Sequence, residues 1–272
     1  MTAQSEFLAE IVASPGDLTA RLIYADWLEE QGDPRGEFIR IQCELSEPSE
    51  DFDRREVLDR RQDHLRRLHE RDWTGIIRNM VSGWSFRCGF VEAVEITAEQ
   101  FLQFEDRLRN CAPIRSLTIV GAEGLVTDVL KRPLIRQLEA FKIEHSHLSR
   151  LDAVAIAEVE FQHLQTIRFC ECNLTNDSFE PLLQLQTDRL KDVDLSINRL
   201  RNASLEGIAE SPVFANLTDL NLLSNEIRQT GAKALAESRG MQALQFLDIR
   251  GNMVGRTGLE LLLHRFGDAV RL

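Results

Sequence analysis

One pattern of apolar residues and asparagine occurs three times between residues 190 and 254. The copies begin at Leu190, Leu217 and Leu244, and each reads L-x-x-L-x-L-x-x-N-x-L with isoleucine or valine at some apolar positions. The starts are 27 residues apart. A fixed period of roughly 20 to 50 residues is typical of arrays whose units cannot bury their own apolar faces and must stack on one another. This repetition constrains the fold more than any other feature of the chain.

Four weaker copies precede the three clear ones and keep their apolar positions. They begin at residues 91, 114, 138 and 164. Cys172 and Ser146 occupy the asparagine position in the two later copies, and the two earliest fit through apolar residues alone. The segment 270–272 is a stub that can begin an eighth strand. Degraded first and last copies are expected at the ends of an array, where one face of the unit has no neighbour.

The pattern resembles the leucine-rich repeat, and in particular its ribonuclease-inhibitor-like subclass, because helical segments such as 231–238 and 258–266 separate the predicted strands. The resemblance implies a solenoid of about seven repeats over residues 86–272, with parallel strands on the concave face and helices on the convex face. A small all-α module over residues 1–85 precedes it. The predicted fold class is therefore α/β.

The residue in the asparagine position of each repeat should point inward at the turn after the strand. There its side chain can satisfy backbone groups that the turn leaves without partners. The expected structural ladder consists of Cys172, Asn198, Asn225 and Asn252.

The first 45 residues carry three short amphipathic helices, with Thr2 and Asp17 as the candidate caps of the first two. Residues 21–45, RLIYADWLEEQGDPRGEFIRIQCEL, resemble the bacterial repeat-companion domain, a short N-terminal module found ahead of degenerate repeat arrays. That family has no established activity and supplies no catalytic residues.

A site in this module would involve Tyr24, Asp26 and Arg35. The alternative is that Tyr24 and Trp27 are core residues, that Asp26 caps or pairs, and that Arg35 forms a local ion pair with Glu37. The alternative is favoured, because a site requires convergent geometry that a sequence does not show.

Residues 51–72 predict a charged helix whose arginines and acids interleave, several at the spacing of intrahelical ion pairs. Its expected apolar stripe is Phe52, Leu58, Leu65 and Leu68. The near balance of charge predicts a solvated helix face and not a groove for nucleic acid.

The whole chain has a net charge of −12, which argues against general affinity for nucleic acid. No apolar run approaches the length of a membrane span, and residues 1–6 lack the features of a signal peptide. Five scattered cysteines suit free thiols in a reducing compartment. We expect a cytoplasmic monomer without a cofactor.

Two metal sites can be considered. Asp192-x-Asp194-x-Ser196 begins like a calcium loop, but its later positions lack the required glycine and glutamate. His145, His147, Cys170 and Cys172 fall on adjacent rungs without a zinc spacing, and Cys172 should point into the core. Neither set predicts a metal site.

Strand alternation identifies the side chains that face away from the core. A basic step at Lys142 and Arg168 should border an acidic patch on the later strands, and the charges either pair with one another or meet a partner. The candidate partner-binding residues are Glu95, Lys142, Glu144, Arg168, Asp192, Asp194, Asp219, Asn221, Phe246, Asp248 and Arg250.

The sequence favours a non-catalytic scaffold that binds another protein through the concave face. A regulator or inhibitor of a nuclease or GTPase is the alternative, since this repeat subclass includes both. An enzyme with its site in the N-terminal module is a third hypothesis.

Overall fold

The computed structural model describes residues 3–271, which contain twelve α-helices and nine mostly parallel strands and so belong to the α/β class. The chain divides into two compact units. The first comprises the residues up to Ile96 together with Gln103–Ser116, and the second comprises Thr97–Leu102 and the residues from Leu117 onward. The boundary expected between residues 85 and 86 falls inside a strand of the first unit.

The first unit begins with four helices followed by an antiparallel hairpin. Asp17 caps the second helix by accepting hydrogen bonds from the amides of Thr19 and Ala20, and Asp51 caps the fourth. Thr2, the expected cap of the first helix, lies outside the described residues. The elements are α1 (Ala3–Ala13), α2 (Leu18–Glu30), α3 (Arg35–Ser46), α4 (Phe52–Thr74), β1 (Gly83–Arg87) and β2 (Phe90–Thr97).

Helix α4 packs its middle against α3 and leaves both flanks in solvent. Leu58 and Leu65 are buried, whereas Phe52 is 79% exposed and Leu68 is 61% exposed, so the expected four-residue stripe was wrong at those two positions. The helix also meets α3 through ion pairs: Arg54 binds Glu44, and Arg61 binds Glu37.

The second unit repeats a strand and a helix. Helix α5 (Ala98–Cys111) and strand β3 (Ser116–Val120) lead into it. Its further elements are α6 (Val126–Leu130), α7 (Leu134–Gln137), β4 (Ala140–Glu144), α8 (Arg150–Ala157), β5 (Thr166–Cys170), α9 (Asn176–Phe179), β6 (Asp192–Asp194), α10 (Asn202–Glu210), β7 (Asp219–Asn221), α11 (Gln229–Glu237), β8 (Phe246–Asp248), α12 (Gly255–Phe266) and β9 (Val270–Arg271).

Strands β4 to β9 lie in the order of the sequence, and each pair of neighbours is parallel. All seven expected strand positions carry a strand, β2 to β8. The stub forms β9 beside β8, and its last residue, Leu272, lies outside the described residues. In-register apolar residues of successive strands are fully buried. They are Phe141, Ile167, Val193, Leu220 and Leu247.

The residue directly before the asparagine position takes left-handed backbone dihedrals in six of the seven repeats, all but the one that begins at residue 91. The six residues are Gly121 (φ 66°), His145 (51°), Glu171 (53°), Ile197 (55°), Ser224 (54°) and Gly251 (68°). Only two of them are glycine. Ile197 is the least suited, because a β-branched side chain at positive φ is strongly disfavoured.

Replacing Ile197 by asparagine should therefore stabilise the protein by about 1 kcal/mol, since asparagine tolerates this conformation. Little burial is lost, because Ile197 is 44% exposed. The shift in the urea midpoint measures the gain. Ile197→Val keeps the β-branch and should show none; equal midpoints for the asparagine and valine variants would contradict the assignment of strain.

Candidate functional site

Asn198 lies under the turn after β6 and satisfies backbone groups of two repeats. Its Oδ1 accepts hydrogen bonds from the amides of Cys172 (3.1 Å) and Leu174 (2.9 Å). Its Nδ2 donates to the carbonyls of Phe169 (2.7 Å) and Leu195 (2.9 Å). The side chain is buried, so these groups have no access to water as an alternative partner.

Asn225 and Asn252 repeat this arrangement one and two rungs later, accepting from the amides of Leu200 and Ile227. Cys172 fills the same position with a buried thiol that lies 3.2 Å from the Ile143 carbonyl. Burial raises the pKa of this thiol to about 12, so it stays protonated. These residues tie each turn to the preceding one.

Two further asparagines, which were not expected from the sequence, connect the helices of neighbouring repeats. Asn176 Oδ1 accepts from the amide of Arg201 at the start of α10 (2.8 Å), and Asn202 Oδ1 accepts from Arg228 at the start of α11 (2.9 Å). Each therefore caps the helix of the next repeat. The 26-residue spacing of the two asparagines was the available signal.

One side of the sheet carries the fully buried apolar residues named above. The other side has no helix packed on it in the described part of the second unit, and its side chains are partly exposed. We call this side the open face. Its principal residues are Lys142, Glu144, Arg168, Asp192, Asp194, Asp219, Asn221, Phe246 and Arg250.

Part of the charge on the open face is neutralised within the sheet. Arg168 Nη2 lies 2.8 Å from Asp192 Oδ2, across the β5–β6 pair. The basic step and the acidic patch expected from the sequence therefore meet directly at this point. Asp194 Oδ2 accepts a hydrogen bond from Asn221 Nδ2 on the next strand (3.0 Å).

Three residues that stand in register on β6, β7 and β8 have a structural role that was not expected from the sequence. Asp194, Asn221 and Asp248 each accept a hydrogen bond from the amide two residues later, at 2.9, 3.0 and 3.1 Å. This is the local bond of an Asx-turn, and it ends each strand. These residue types are accordingly explained by the turns.

Asp248 is buried, only 2% exposed, which corrects its expected position on an accessible face. Arg250 causes the burial, because both its backbone amide and its guanidinium donate hydrogen bonds to the Asp248 carboxylate and cover it. Hydrogen bonding from Arg250 lowers the pKa of Asp248. Ser196 is buried as well, with its hydroxyl 3.4 Å from Cys170 Sγ.

Three open-face residues keep groups available for a partner. Lys142 and Asp219 form no ion pair within residues 3–271, although Asp219 accepts a hydrogen bond from Thr218 (2.7 Å). Partial burial, aided by Arg168, lowers the pKa of Lys142. The Phe246 ring lies 6.0 Å from the guanidinium of Arg271.

Glu95 belongs to the first unit, where it is exposed and pairs in register with Gly83. Its Oε1 lies 3.3 Å from the Ser82 hydroxyl. Glu95 and the residues of the open face therefore belong to different units.

The three residues suspected of forming a site in the helical module have different partners. Tyr24 is buried and accepts a hydrogen bond from Gln4, while Asp26 is exposed and pairs with Arg40. Arg35 stacks over Phe90, with 4.9 Å between its guanidinium carbon and the ring centroid.

The predicted local ion pair between Arg35 and Glu37 does not form. Residues two positions apart on a helix do not face each other. Glu37 instead binds Arg61 of α4 with both carboxylate oxygens at 2.6 Å.

The most deeply buried charge in the first unit is Arg21, which is fully buried and pairs with Glu92. Its guanidinium also donates to the carbonyls of Pro15 (2.7 Å) and Arg87 (3.0 Å). Burial raises the pKa of Glu92, and Arg21 opposes that rise. Arg21 lies one turn from Leu18 and from Ala25 on the apolar side of α2, a signal that the sequence contained.

Each residue of the histidine and cysteine set has a separate partner. His145 Nδ1 lies 2.6 Å from Glu171, and His147 Nδ1 lies 2.9 Å from the Asn173 amide. Within residues 3–271, no three acidic, histidine or cysteine side chains converge on a point where a metal ion could bind.

No protein-family model matches this chain, and a search of curated proteins found no similar sequence. Among the helices of residues 3–271, none combines the length and apolar character needed to cross a membrane.

Proposed function

We propose that the second unit is a leucine-rich repeat solenoid and that the protein is a non-catalytic scaffold whose open face binds another protein. The observation that supports this most is the open face itself. Parallel sheets are almost always covered on both sides, so an uncovered side with a polar surface requires an explanation. A partner that covers it provides one.

The side chains of the open face suggest what the partner presents. Lys142 calls for a carboxylate, and Asp219 calls for a lysine or arginine about three rungs away. Neighbouring strands are roughly 4.8 Å apart, so the two strands that carry these charges lie roughly 14 Å apart across the sheet. Phe246 adds an aromatic surface one rung beyond Asp219.

Charge reversal at Lys142 and Asp219 should weaken partner binding at least tenfold. Lys142 and Asp219 are accessible to a partner, and neither side chain stabilises a turn. Asp194 and Asn221, by contrast, form the Asx-turns that end their strands. Capture from a lysate with the wild-type chain identifies the partner, and titration calorimetry then measures the affinity of Lys142→Glu/Asp219→Lys.

The matched control is Lys233→Glu/Glu206→Lys, which makes the same two charge changes on helices α11 and α10. It should bind as tightly as the wild type. If the helix variant loses binding and the sheet variant keeps it, the partner contacts the helices and the proposal is wrong.

The five free thiols favour a reducing compartment, and we propose the cytoplasm as the location.

A further inference from the structure

Two buried thiols belong to the core of the first unit. Cys43 belongs to α3, and Cys88 belongs to the turn between β1 and β2. They are 5% and 2% exposed and belong to one cluster of buried residues. Cys88 Sγ also lies 3.8 Å from the Ser46 hydroxyl on the next turn of α3. The first unit thus holds two free, buried thiols in the same core cluster.

The hairpin turn is fixed on α3 by two hydrogen bonds of Gly89, the residue that follows Cys88. The amide of Gly89 donates to Gln42 Oε1 (2.8 Å), and Arg35 Nη2 donates to the carbonyl of Gly89 (3.3 Å). Gly89 has φ 81°, and a Cβ there would lie 2.1 Å from a side-chain carbon of Ile39. The turn can approach α3 this closely only with glycine, so the fold itself brings the thiols together.

The surroundings distinguish the two thiols. The Cys43 thiol lowers the pKa of Cys88, and Ser46 and Arg21 lower it further, against burial and the charge of Glu92. The neighbouring Cys88 in turn raises the pKa of Cys43. The Ser46 hydroxyl lies 3.8 Å from Cys88 Sγ, and the Arg21 guanidinium lies 3.5 Å from the Cys88 carbonyl. Both groups favour negative charge at Cys88, so we assign the thiolate to Cys88 and the proton to Cys43. A thiolate beside a protonated thiol is the arrangement of a reactive dithiol.

We propose that Cys43 and Cys88 are a modification site at which a peroxide forms a reversible disulfide between α3 and the β1–β2 turn. The Cys88 thiolate attacks one oxygen of hydrogen peroxide, the O–O bond breaks, and Cys88 sulfenic acid and hydroxide result. The Cys43 sulfur then attacks the Cys88 sulfur. The S–O bond breaks, and the leaving hydroxyl departs with the Cys43 proton as water. Peroxide gains the two electrons that the thiols lose, and a dithiol reductant returns both thiols.

The other three cysteines lack this arrangement. Desolvation raises the pKa of Cys111 although that residue is exposed, and burial raises the pKa of Cys170 and raises that of Cys172 to about 12. A protonated thiol reacts slowly with peroxide. Exposure would favour Cys111 instead, since it is the exposed cysteine of the chain. The two criteria, thiolate character and exposure, thus predict different oxidation sites.

The test treats the whole protein with hydrogen peroxide, blocks the remaining thiols, and maps peptides without reduction. We expect two of the five thiols to disappear and one new peptide to join Cys43 to Cys88. Dithiothreitol should restore both thiols. Peroxide that leaves this pair reduced while Cys111 is oxidised would overturn the proposal, and so would a disulfide between any other cysteines.

Two variants separate the roles of the thiols. In Cys43→Ser, the Cys88 sulfenic acid has no second thiol, so dimedone should trap it. In Cys88→Ser, Cys43 should stay reduced at the same peroxide dose, and Cys111→Ser should behave as the wild type. Trapping at Cys43 in place of Cys88 would reverse the assignment. Circular dichroism of each variant checks folding, and the wild-type peptide map needs no variant.

Discussion

Asn198→Ala should lower the free energy of unfolding by about 3–5 kcal/mol, because each buried backbone group left without a partner costs about 1–3 kcal/mol. Two amides and at least two carbonyls lose the side chain that satisfies them. Water that enters the space recovers part of the loss, so the sum stays below the total for four groups. Urea unfolding followed by far-ultraviolet circular dichroism measures the effect.

Two further variants serve as references for the size of this loss of stability. Asn216 is exposed, and Asn216→Ala should change stability by less than about 0.5 kcal/mol. Asn198→Cys introduces the residue type that the chain itself has at Cys172. Its loss of stability should lie between those of Asn198→Ala and Asn216→Ala. If Asn198→Ala is no worse than Asn216→Ala, the side chain does not hold the turns together.

Arg21→Met should destabilise the first unit by about 3–5 kcal/mol, since it leaves Glu92 as a buried charge without its main partner. The carbonyls of Pro15 and Arg87 lose their donor as well. Trp27, Trp73 and Trp84 are the three tryptophans of the chain, and all belong to the first unit, so fluorescence reports on it.

The double variant Arg21→Met/Glu92→Leu should recover at least half of that loss, because neither charge then remains buried. Arg60→Met removes an exposed arginine that pairs with Glu56 on the surface of α4, and it should have an effect within about 0.5 kcal/mol. A double variant that is as unstable as the sum of its single variants would show that the two charges act independently.

The sequence predicted the strands well, because the 27-residue period and the alternation of apolar residues are both local signals. The buried positions Val193, Leu220 and Leu247 follow directly from them. The ladder residues share the same register. Their contacts are determined by the period and need no information from distant parts of the chain.

The errors on the open face came from side chains that bend back on their own strand. Alternation places Asp248 outward, but Arg250 two residues later covers it. It also treats Asp194 as free, although the carboxylate ends its own strand. Periodicity describes the direction of a side chain at its root and not the partner at its tip. Those aspartates therefore say less about function than the sequence suggested.

The features of the first unit depend on contacts that no period reveals. Cys43 and Cys88 are 45 positions apart, and their place in one core cluster requires the hairpin turn to pack on α3. Arg21 could have been noticed, because a charged residue on the apolar side of a helix must find a buried partner. Its partner Glu92 is not identifiable without the fold.

The central claim is that the open face is the surface that binds a partner. Covalent footprinting of amines and carboxylates, with and without the captured partner, tests it most directly. We predict that Lys142 and Asp219 become protected in the complex while Glu206 and Lys233 on the helices react as before. Protection of Glu206 and Lys233 with unchanged labelling of Lys142 and Asp219 would contradict the claim.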